Sequence, residues 1–528
     1  SLFTIGCKKD LSNSPETPTE DKTLEELIIP QEFDFETSKT VSVSFQDALK
    51  AGGTAKYDIY ISNDFYERDY LYINNKNGTF SEQIQTWATH ISQASMGADL
   101  ADINNDGKAD IFTTDMLPEG DERLKTTTSF ENYDLLTRKL NMDFFNQFMS
   151  NALHINDGTH FTEIANFAGV SKTDWSWGAL IFDMDNDGYK DIYVCNGIYH
   201  DLTNQDFMDF FANELMQKMV VTGQKEDIET IIAKMPSTPI PNYAFKNNGQ
   251  LSFEDVTKSW GMDLPTFSNG AVYVDLDKDG DLDYVVNNIN DLASVYENNQ
   301  NKQKEVNSYL QIKLEGNAFN KDGFGAEVLV YYNNGQFQYY EHSPYRGYLS
   351  SVDPIAHFGL GQAKQVDSIK IIWPDHQQQM LKNVAINQQI TLNHKASSIS
   401  SNDAFAFLFH TPKSMFTNLS TQFLPSFVHE EADYVDFNVQ KLLPHKFSEY
   451  GPAIAVGDMN TDGLDDMILG GASHHSAQIF LQQTNGSFKQ SSLLSNMSYA
   501  DKANSDQGIL LLDADGDSDL DIYISSGG

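Results

Sequence analysis

Only two cysteines, Cys7 and Cys195, stand in 528 residues, which is too few for a disulfide framework. Basic residues are scarce as well: 35 Lys and Arg face 75 Asp and Glu, for a formal net charge of −40. Such a surface repels a phosphate backbone and argues against nucleic acid as a partner. No run of about 18 apolar residues occurs, so no segment reads as a membrane-spanning helix. Catalytic signatures are missing too: there is no HExxH, no G-x-S-x-G and no Cys/His pairing context, which weighs against hydrolytic enzymes built on those motifs. The 13 histidines are scattered. His200-Asp201 and His474-His475 are the only local groupings, and both read as surface or hairpin polarity.

What the chain has in abundance is one acidic nonapeptide. It reads D-I-N-N-D-G-K-A-D from Asp102, D-M-D-N-D-G-Y-K-D from Asp183 and D-L-D-K-D-G-D-L-D from Asp275. It returns as D-M-N-T-D-G-L-D-D from Asp458 and D-A-D-G-D-S-D-L-D from Asp513. These five are loops 1 to 5 below. Each places oxygen side chains at positions 1, 3, 5 and 9: Asp102, Asn104, Asp106 and Asp110; Asp183, Asp185, Asp187 and Asp191; Asp275, Asp277, Asp279 and Asp283; Asp458, Asn460, Asp462 and Asp466; Asp513, Asp515, Asp517 and Asp521. A hard cation such as Ca²⁺ takes six to eight oxygen ligands, and Gly at position 6 permits the sharp turn that aims alternate side chains inward. The backbone carbonyl at position 7 and a water would complete the shell. The spacing resembles the front of an EF-hand loop, without its Glu at position 12 and leading into a strand instead of a helix. Loop 5 departs, with Gly516 at position 4 and Ser518 at position 6. The metal-free reading is Asx-turn chemistry at hairpin ends. Against it, three or four convergent carboxylates repel one another without a cation. The cofactor expectation is therefore several Ca²⁺, up to five, held structurally and not catalytically.

A small-residue and apolar stretch precedes each loop (WSWGALIF, FSNGAVYV) and a strand-like run follows it (IFTTDM, IYVCNG). Hairpin patterns such as LYINNKNGTF and LHINDGTHF accompany them. A recurring unit must bury its apolar face on its neighbours, which predicts stacked repeats in a propeller or solenoid. The run YDIYISNDF at Asp58 begins like the others, yet Lys50, Gly52 and Thr54 upstream of it cannot coordinate. Residues 118–150 and 198–238, with DFFNQFMSNAL and DFMDFFANELMQKMV, carry apolar residues at three- and four-residue steps and are expected as helical insertions packed over the repeats. Residues 303–395 lack the nonapeptide and read as a small antiparallel β-domain. Trp175 and Trp177 are expected to fill space between repeats, with a sugar-stacking role as the alternative. Arg346, His357 and Trp373 are candidates for lining a pocket. Cys7, after Ser-Leu-Phe-Thr-Ile-Gly and before a polar stretch, resembles the end of a bacterial lipoprotein signal, so lipidation at Cys7 is expected. The expected division is 1–35 signal remnant and tether, 36–302 repeats, 303–395 the β-domain, and 396–528 a second, incomplete repeat block.

With these residues in view, the chain resembles the bacterial FG-GAP/VCBS repeat proteins that carry an ASPIC/UnbV domain. The loops and hairpins carry the repeat resemblance. RGYLSSVDPIAHFGLG (Arg346 to Gly361) and VDSIKIIWPD (Val366 to Asp375) carry that of the middle unit. The resemblance implies an all-β fold of β-propeller repeats with calcium at the loops and an extracytoplasmic, surface-exposed setting. The expected function is a non-catalytic interaction or adhesion module on an outer-membrane lipid anchor, with a protein or glycan ligand, no nucleic acid, and membrane contact only through the lipid. The alternatives are an accessory lipoprotein of an outer-membrane uptake or secretion complex, and a glycan-acting hydrolase on a propeller scaffold.

Overall fold

The computed structural model describes residues 2–4 and, from 58 to 527, all but 65–66, 130–132, 143, most of 213–231, 399–414, 424–426, 432–433, 449 and 495–501. Cys7 and the candidate tether lie outside the described residues, apart from Leu2–Thr4. That short strand pairs in parallel with Asp58–Tyr60.

Strand-forming residues alternate around each acidic loop, and the result is a series of antiparallel meanders. The first sheet contains Asp58–Ile61, Tyr70–Asn74 and Phe80–Glu82. The second orders Gly97–Ala101, Asp110–Thr114, Ala152–Asn156 and Phe161–Glu163. The third orders Ser176–Phe182, Asp191–Asn196, Tyr243–Asn247 and Phe253–Asp255. The fourth holds Ser268–Val274, Asp283–Asn288 and Ser294–Tyr296. Phe182, Tyr193, Tyr273 and Tyr284 pack together between the third and fourth sheets.

The chain divides into two units, residues 1–130 with 138–410 and residues 131–137 with 411–528. In the second unit Ile454–Gly457, Asp466–Leu469, Gln478–Gln482 and Phe488–Ser492 form one meander, and Ser505–Leu512 pairs with Asp521–Gly527. Strand alternation is the same as in the first unit but the burial is not. Ile454 and Val456 are each 57% exposed, whereas Ala98 and Leu100, at the same places before loop 1, are 3% and 8% exposed.

All five loops close in one register. The residue before position 1 pairs with position 9: Ala101 with Asp110, Phe182 with Asp191, Val274 with Asp283, Gly457 with Asp466, and Leu512 with Asp521. Two left-handed residues make that turn, at positions 4 and 6. Position 4 is Asn105, Asn186, Lys278, Thr461 or Gly516, and position 6 is Gly107, Gly188, Gly280, Gly463 or Ser518, all with positive φ. Loop 5 therefore keeps the backbone path with its glycine at the other left-handed position. Ser518, at φ 74°, takes the conformation that glycine adopts more easily.

Among the described residues, helix is confined to short pieces. Asp121–Thr127 is anchored by Arg123, whose guanidinium pairs with Asp174 and reaches Asp201 at 3.1 Å. Asp201 is thus a buried ion-pair partner and not surface polarity. Tyr133–Leu140 and a π-helix at Phe207–Ala212 follow. The expected helix over DFFNQFMSNAL does not form. Gln147–Phe148 pairs with Ile91–Ser92, and Ala152–Asn156 is the third strand of the second sheet. Three-residue spacing of apolar groups there serves two strands that already had partners, and tertiary pairing overrides the local pattern.

The middle unit is two packed sheets. One orders Ile355–Gly361, Ser308–Glu315 and Gln388–Asn393; the other orders Gln336–Glu341, Glu327–Tyr332, Val366–Ile372 and Gln378–Val384. It is not purely antiparallel as expected: Leu310–Glu315 pairs in parallel with Gln388–Asn393. The intervening chain passes through the other sheet, which supplies the long crossover a parallel pair requires. Leu310, Val328, Phe358, Ile369 and Trp373 share its core.

Candidate metal centres

Each loop is folded by its own carboxylates. The position 1 carboxylate accepts the amides of positions 5 and 6: in loop 2, Asp187 N and Gly188 N reach Asp183 at 3.1 and 2.8 Å. The pattern repeats on Asp102, Asp275, Asp458 and Asp513. Position 9 works across the sheet. Its Oδ2 accepts the position 2 amide, as from Met184 to Asp191 at 2.8 Å, and likewise for Asp110, Asp283, Asp466 and Asp521. In the four of these meanders with a third strand, its Oδ1 accepts an amide in or just past that strand: Asn156, Asn247, Asn298 and Gln482, at 2.8 to 2.9 Å. Asp58 accepts from Asn74 at 2.7 Å in the same way, which identifies Asp58 as a position 9 residue. Residues 50–57 lie outside the described residues.

Carboxylates converge in three of the loops. Ligand oxygens of Asp183, Asp185 and Asp191 lie within 4.8 Å of one another, as do those of Asp275, Asp277 and Asp279, and those of Asp513, Asp515 and Asp521. Asp187, Asp283 and Asp517 stand outside those trios. In loops 1 and 4, where Asn104 and Asn460 occupy position 3, no three aspartates come that close among the described residues. Of the three loops with such a trio, loop 2 is the most enclosed, with Asp183 6% and Asp191 0% exposed; Asp102 and Asp110 of loop 1 are as deeply buried. Burial, then the charges of Asp187 and Asp185, push the Asp183 carboxyl well above the usual range. Burial, then Asp183, does the same to Asp191. Burial lifts Asp102 to about 6. Several oxygens of one sign held in a low-dielectric loop are a donor set that suits a hard divalent cation, and an oxygen that accepts one amide keeps a second lone pair for it; Asp275 Oδ2 and Asp513 Oδ1 already accept two bonds each, which leaves their carboxylates the other oxygen. Loop 2 also has an internal cation: the Lys246 ammonium pairs with Asp185 and lies 2.9 Å from Asp187.

Neighbouring loops are stitched by asparagine side chains that the sequence reading passed over. Asn105 donates to Gly188 O at 2.9 Å and Asn186 to Gly280 O at 3.1 Å. Asn247 donates to Ile103 O and Asn298 to Met184 O, at 3.0 and 2.8 Å. Asn247 and Asn298 stand at the close of their hairpins and Asn105 and Asn186 at position 4 of their loops, but the letters alone do not say which carbonyls they meet.

The middle unit reaches into the repeats through a hairpin at Tyr345–Arg346 and Ser350–Ser351. Arg346, 8% exposed, donates to Leu100 O at 3.0 Å and Ile181 O at 2.9 Å and pairs with Asp99 at 3.0 Å. A cavity of about 60 Å³ lies beside it, lined by Asp99, Asp102, Lys190, Arg346 and His357 among others. Arg346 and His357 thus line one pocket; Trp373 does not, being fully buried in the core of its own domain. The Trp177 ring lies against Tyr348 of the hairpin, centroids 5.2 Å apart and tilted by 40°, and its indole donates to Gly197 O. Trp177 thus packs on the inserted hairpin, and both it and Trp175 are half-buried. His474 and His475 sit in the turn after Gly471, remote in sequence from any loop aspartate trio.

A meander that closes on an aspartate loop, repeated along the chain, defines a class of FG-GAP-like repeat. The FG-GAP-like repeat model matches residues 53–113 and 458–524, and the ASPIC and UnbV model matches residues 316–399. The chain carries both domains and is homologous to cartilage acidic protein 1, which has this architecture. It is 24% identical to cartilage acidic protein 1 of Xenopus tropicalis over 327 residues, covering 61% of this chain and 40% of that protein. It is 27% identical over 133 residues to cartilage acidic protein 1 of Mus musculus and of Homo sapiens, 25% of this chain in both and 20% and 19% of those proteins. The chain thus spans less than half the length of these relatives. The two domain types point to an extracellular interaction module.

Proposed function

We propose that the chain is a calcium-binding, non-catalytic interaction module of the extracytoplasmic surface, with its repeats arranged as β-propeller blades and its ligand a protein or a glycan. One observation carries the calcium reading: three loops of the same register each gather three carboxylates, and in loop 2 Asp183 and Asp191 do so against the cost of burial and like charge. Asp183, Asp185 and Asp191, Asp275, Asp277 and Asp279, and Asp513, Asp515 and Asp521 would hold the ions most directly. Loops 1 and 4 would contribute Asn104 and Asn460 alongside their aspartates. Calcium would supply charge neutralisation to turns that connect rigid strands, leaving the remaining surfaces fixed for recognition. Titration calorimetry on chelator-stripped protein is expected to show several sites that prefer Ca²⁺ to Mg²⁺, with Kd about 10⁻⁴ to 10⁻³ M as in extracellular modules. Absence of binding in the millimolar range would remove the reading.

A lipid anchor at Cys7 belongs to the same proposal. Metabolic labelling with a palmitate analogue is expected to mark the wild type and to be lost in Cys7→Ala. Equal labelling of both, or of neither, counts against the anchor and leaves the calcium reading intact.

A further inference from the structure

Loops 2 and 3 are the seat of the ASPIC/UnbV domain. Strand Ile355–Gly361 crosses loop 2: the Gly361 amide donates to Asn186 O at 2.8 Å, and His357 meets Asn186 Oδ1 at 2.6 Å. Because Asn186 Nδ2 is committed to Gly280 O, its Oδ1 accepts, and His357 carries its proton on Nε2. Gly359 lies so close that a Cβ there would stand 2.5 Å from Asn186 Cα and closer still to Asp183. On loop 3, Gln311 donates to Asp275 Oδ2 at 2.8 Å, and the Tyr309 ring occupies the space where Gly280 would carry a Cβ. Asn307 adds a bond to Asp185 O at 2.8 Å. The groups the domain brings down on these two loops are glycine, amide, phenol and imidazole, together with the Asp353 carboxylate, which faces Asp275 across a small cavity. It covers aspartate-rich turns without bringing a cation to them.

We propose that cation binding at loops 2 and 3 fastens the ASPIC/UnbV domain onto the repeats, which makes the domain a calcium-dependent clamp. The proposal rests on the calcium reading above. Its physical basis is that covering a cluster of carboxylates with groups that carry no positive charge removes the water that screened them and puts no counter-charge in its place. An ion in the loop supplies that counter-charge and holds the turn in the shape that Gly359 and Gln311 meet. By linkage, docking then tightens the ion at these loops by the factor that the ion tightens docking. Loops 4 and 5, with Asp513, Asp515 and Asp521 all exposed, carry no such cover among the described residues of their own unit.

Hydrogen exchange on the full chain tests this, in calcium and after chelation, with calorimetry on the same preparation. Amides of residues 345–361 are expected to exchange at least tenfold faster after chelation, Gly361 among them. Strands Glu327–Tyr332 and Val366–Ile372, inside the domain's own core, should keep their protection. Gly359→Val in calcium should reproduce the chelated pattern; if that variant fails to fold, Gln311→Ala, which removes the bond to Asp275, should reproduce it in part. Calcium binding with unchanged exchange at 345–361 overturns the clamp and leaves the calcium reading standing. Loss of protection throughout the domain also overturns it, since that marks unfolding and not release. No calcium binding overturns both.

Discussion

Asp191→Ala is expected to destabilise the first unit by about 2–6 kcal/mol with calcium chelated, whereas Asp185→Ala should cost little until calcium is added. Both residues are candidate ligands of loop 2, and a metal-only account would treat them alike. Their bonding separates them. Asp191 accepts the buried amides of Met184 and Asn247, each at 2.8 Å. Alanine leaves both without a partner in an interior no water reaches, at about 1–3 kcal/mol each. Asp185 accepts one long bond, from Asp187 N at 3.3 Å, and pairs with Lys246. Its charge repels Asp187 and Asp183, so in the ion-free state its removal relieves as much as it loses. With calcium at a hundredfold of Kd, the wild type gains about 2.7 kcal/mol per site that Asp185→Ala forfeits. Denaturant unfolding of both variants, with and without chelator, reads the difference. If Asp191→Ala were harmless under chelation, position 9 would be a ligand and nothing more. If Asp185→Ala were equally costly in both media, calcium would not be what loop 2 is built for.

The same contrast shows how far the sequence could be read. Spacing at positions 1, 3, 5 and 9 located every loop, because all four oxygens lie within nine consecutive residues and the turn needs no distant partner. Loop 5 was legible for the same reason, and Ser518 looked anomalous only until the backbone showed two left-handed positions instead of one. The double role of position 9 was not legible, since its second amide comes from the far end of the third strand or just past it, 15 residues on in the fourth sheet and 56 in the third. The asparagine stitch was hidden in the same way, as each bond crosses from one repeat to the next over more than 80 residues. Helical spacing misled at residues 144–153, where partners elsewhere in the sequence decided for strand. Nothing local to Gly359 or Gly361 says that they lie against Asn186. Glycine there is read from the close approach it permits, which appears only once both segments are placed. The shared cause is sequence separation: what a nonapeptide does to itself is visible in its letters, and what repeats do to each other is not.

Arg346→Met is expected to cost about 3–5 kcal/mol, and Arg346→Lys to recover little of it. The guanidinium is inserted between two repeat sheets, where it satisfies Leu100 O on one strand, Ile181 O on the next, and the carboxylate of Asp99. Three acceptors in fixed directions suit a planar fork; a single ammonium on a flexible stem cannot meet all three. Methionine fills similar volume and removes the charge, so Asp99 remains 1% exposed, held only by the amides of Ile181 at 2.7 Å and Leu100 at 3.0 Å. Burial already raises the Asp99 carboxyl above its ordinary value against the opposing pull of Arg346. Without Arg346 the shift grows, and the folded variant holds a proton that the unfolded chain gives up near pH 4. A carboxyl raised in the folded state favours folding where it is protonated, so the variant loses stability as pH rises from the unfolded value through the folded one. The deficit of Arg346→Met should therefore be smaller at pH 5 than at pH 8. Arg346→Met combined with Asp99→Asn should destabilise by less than the two single changes together, because the double variant leaves no charge buried alone. Denaturant midpoints at the two pH values decide it. A cost under about 1 kcal/mol that does not change with pH would mean that the hairpin's place between the sheets depends on packing of Tyr348 and Trp177 and not on the buried pair.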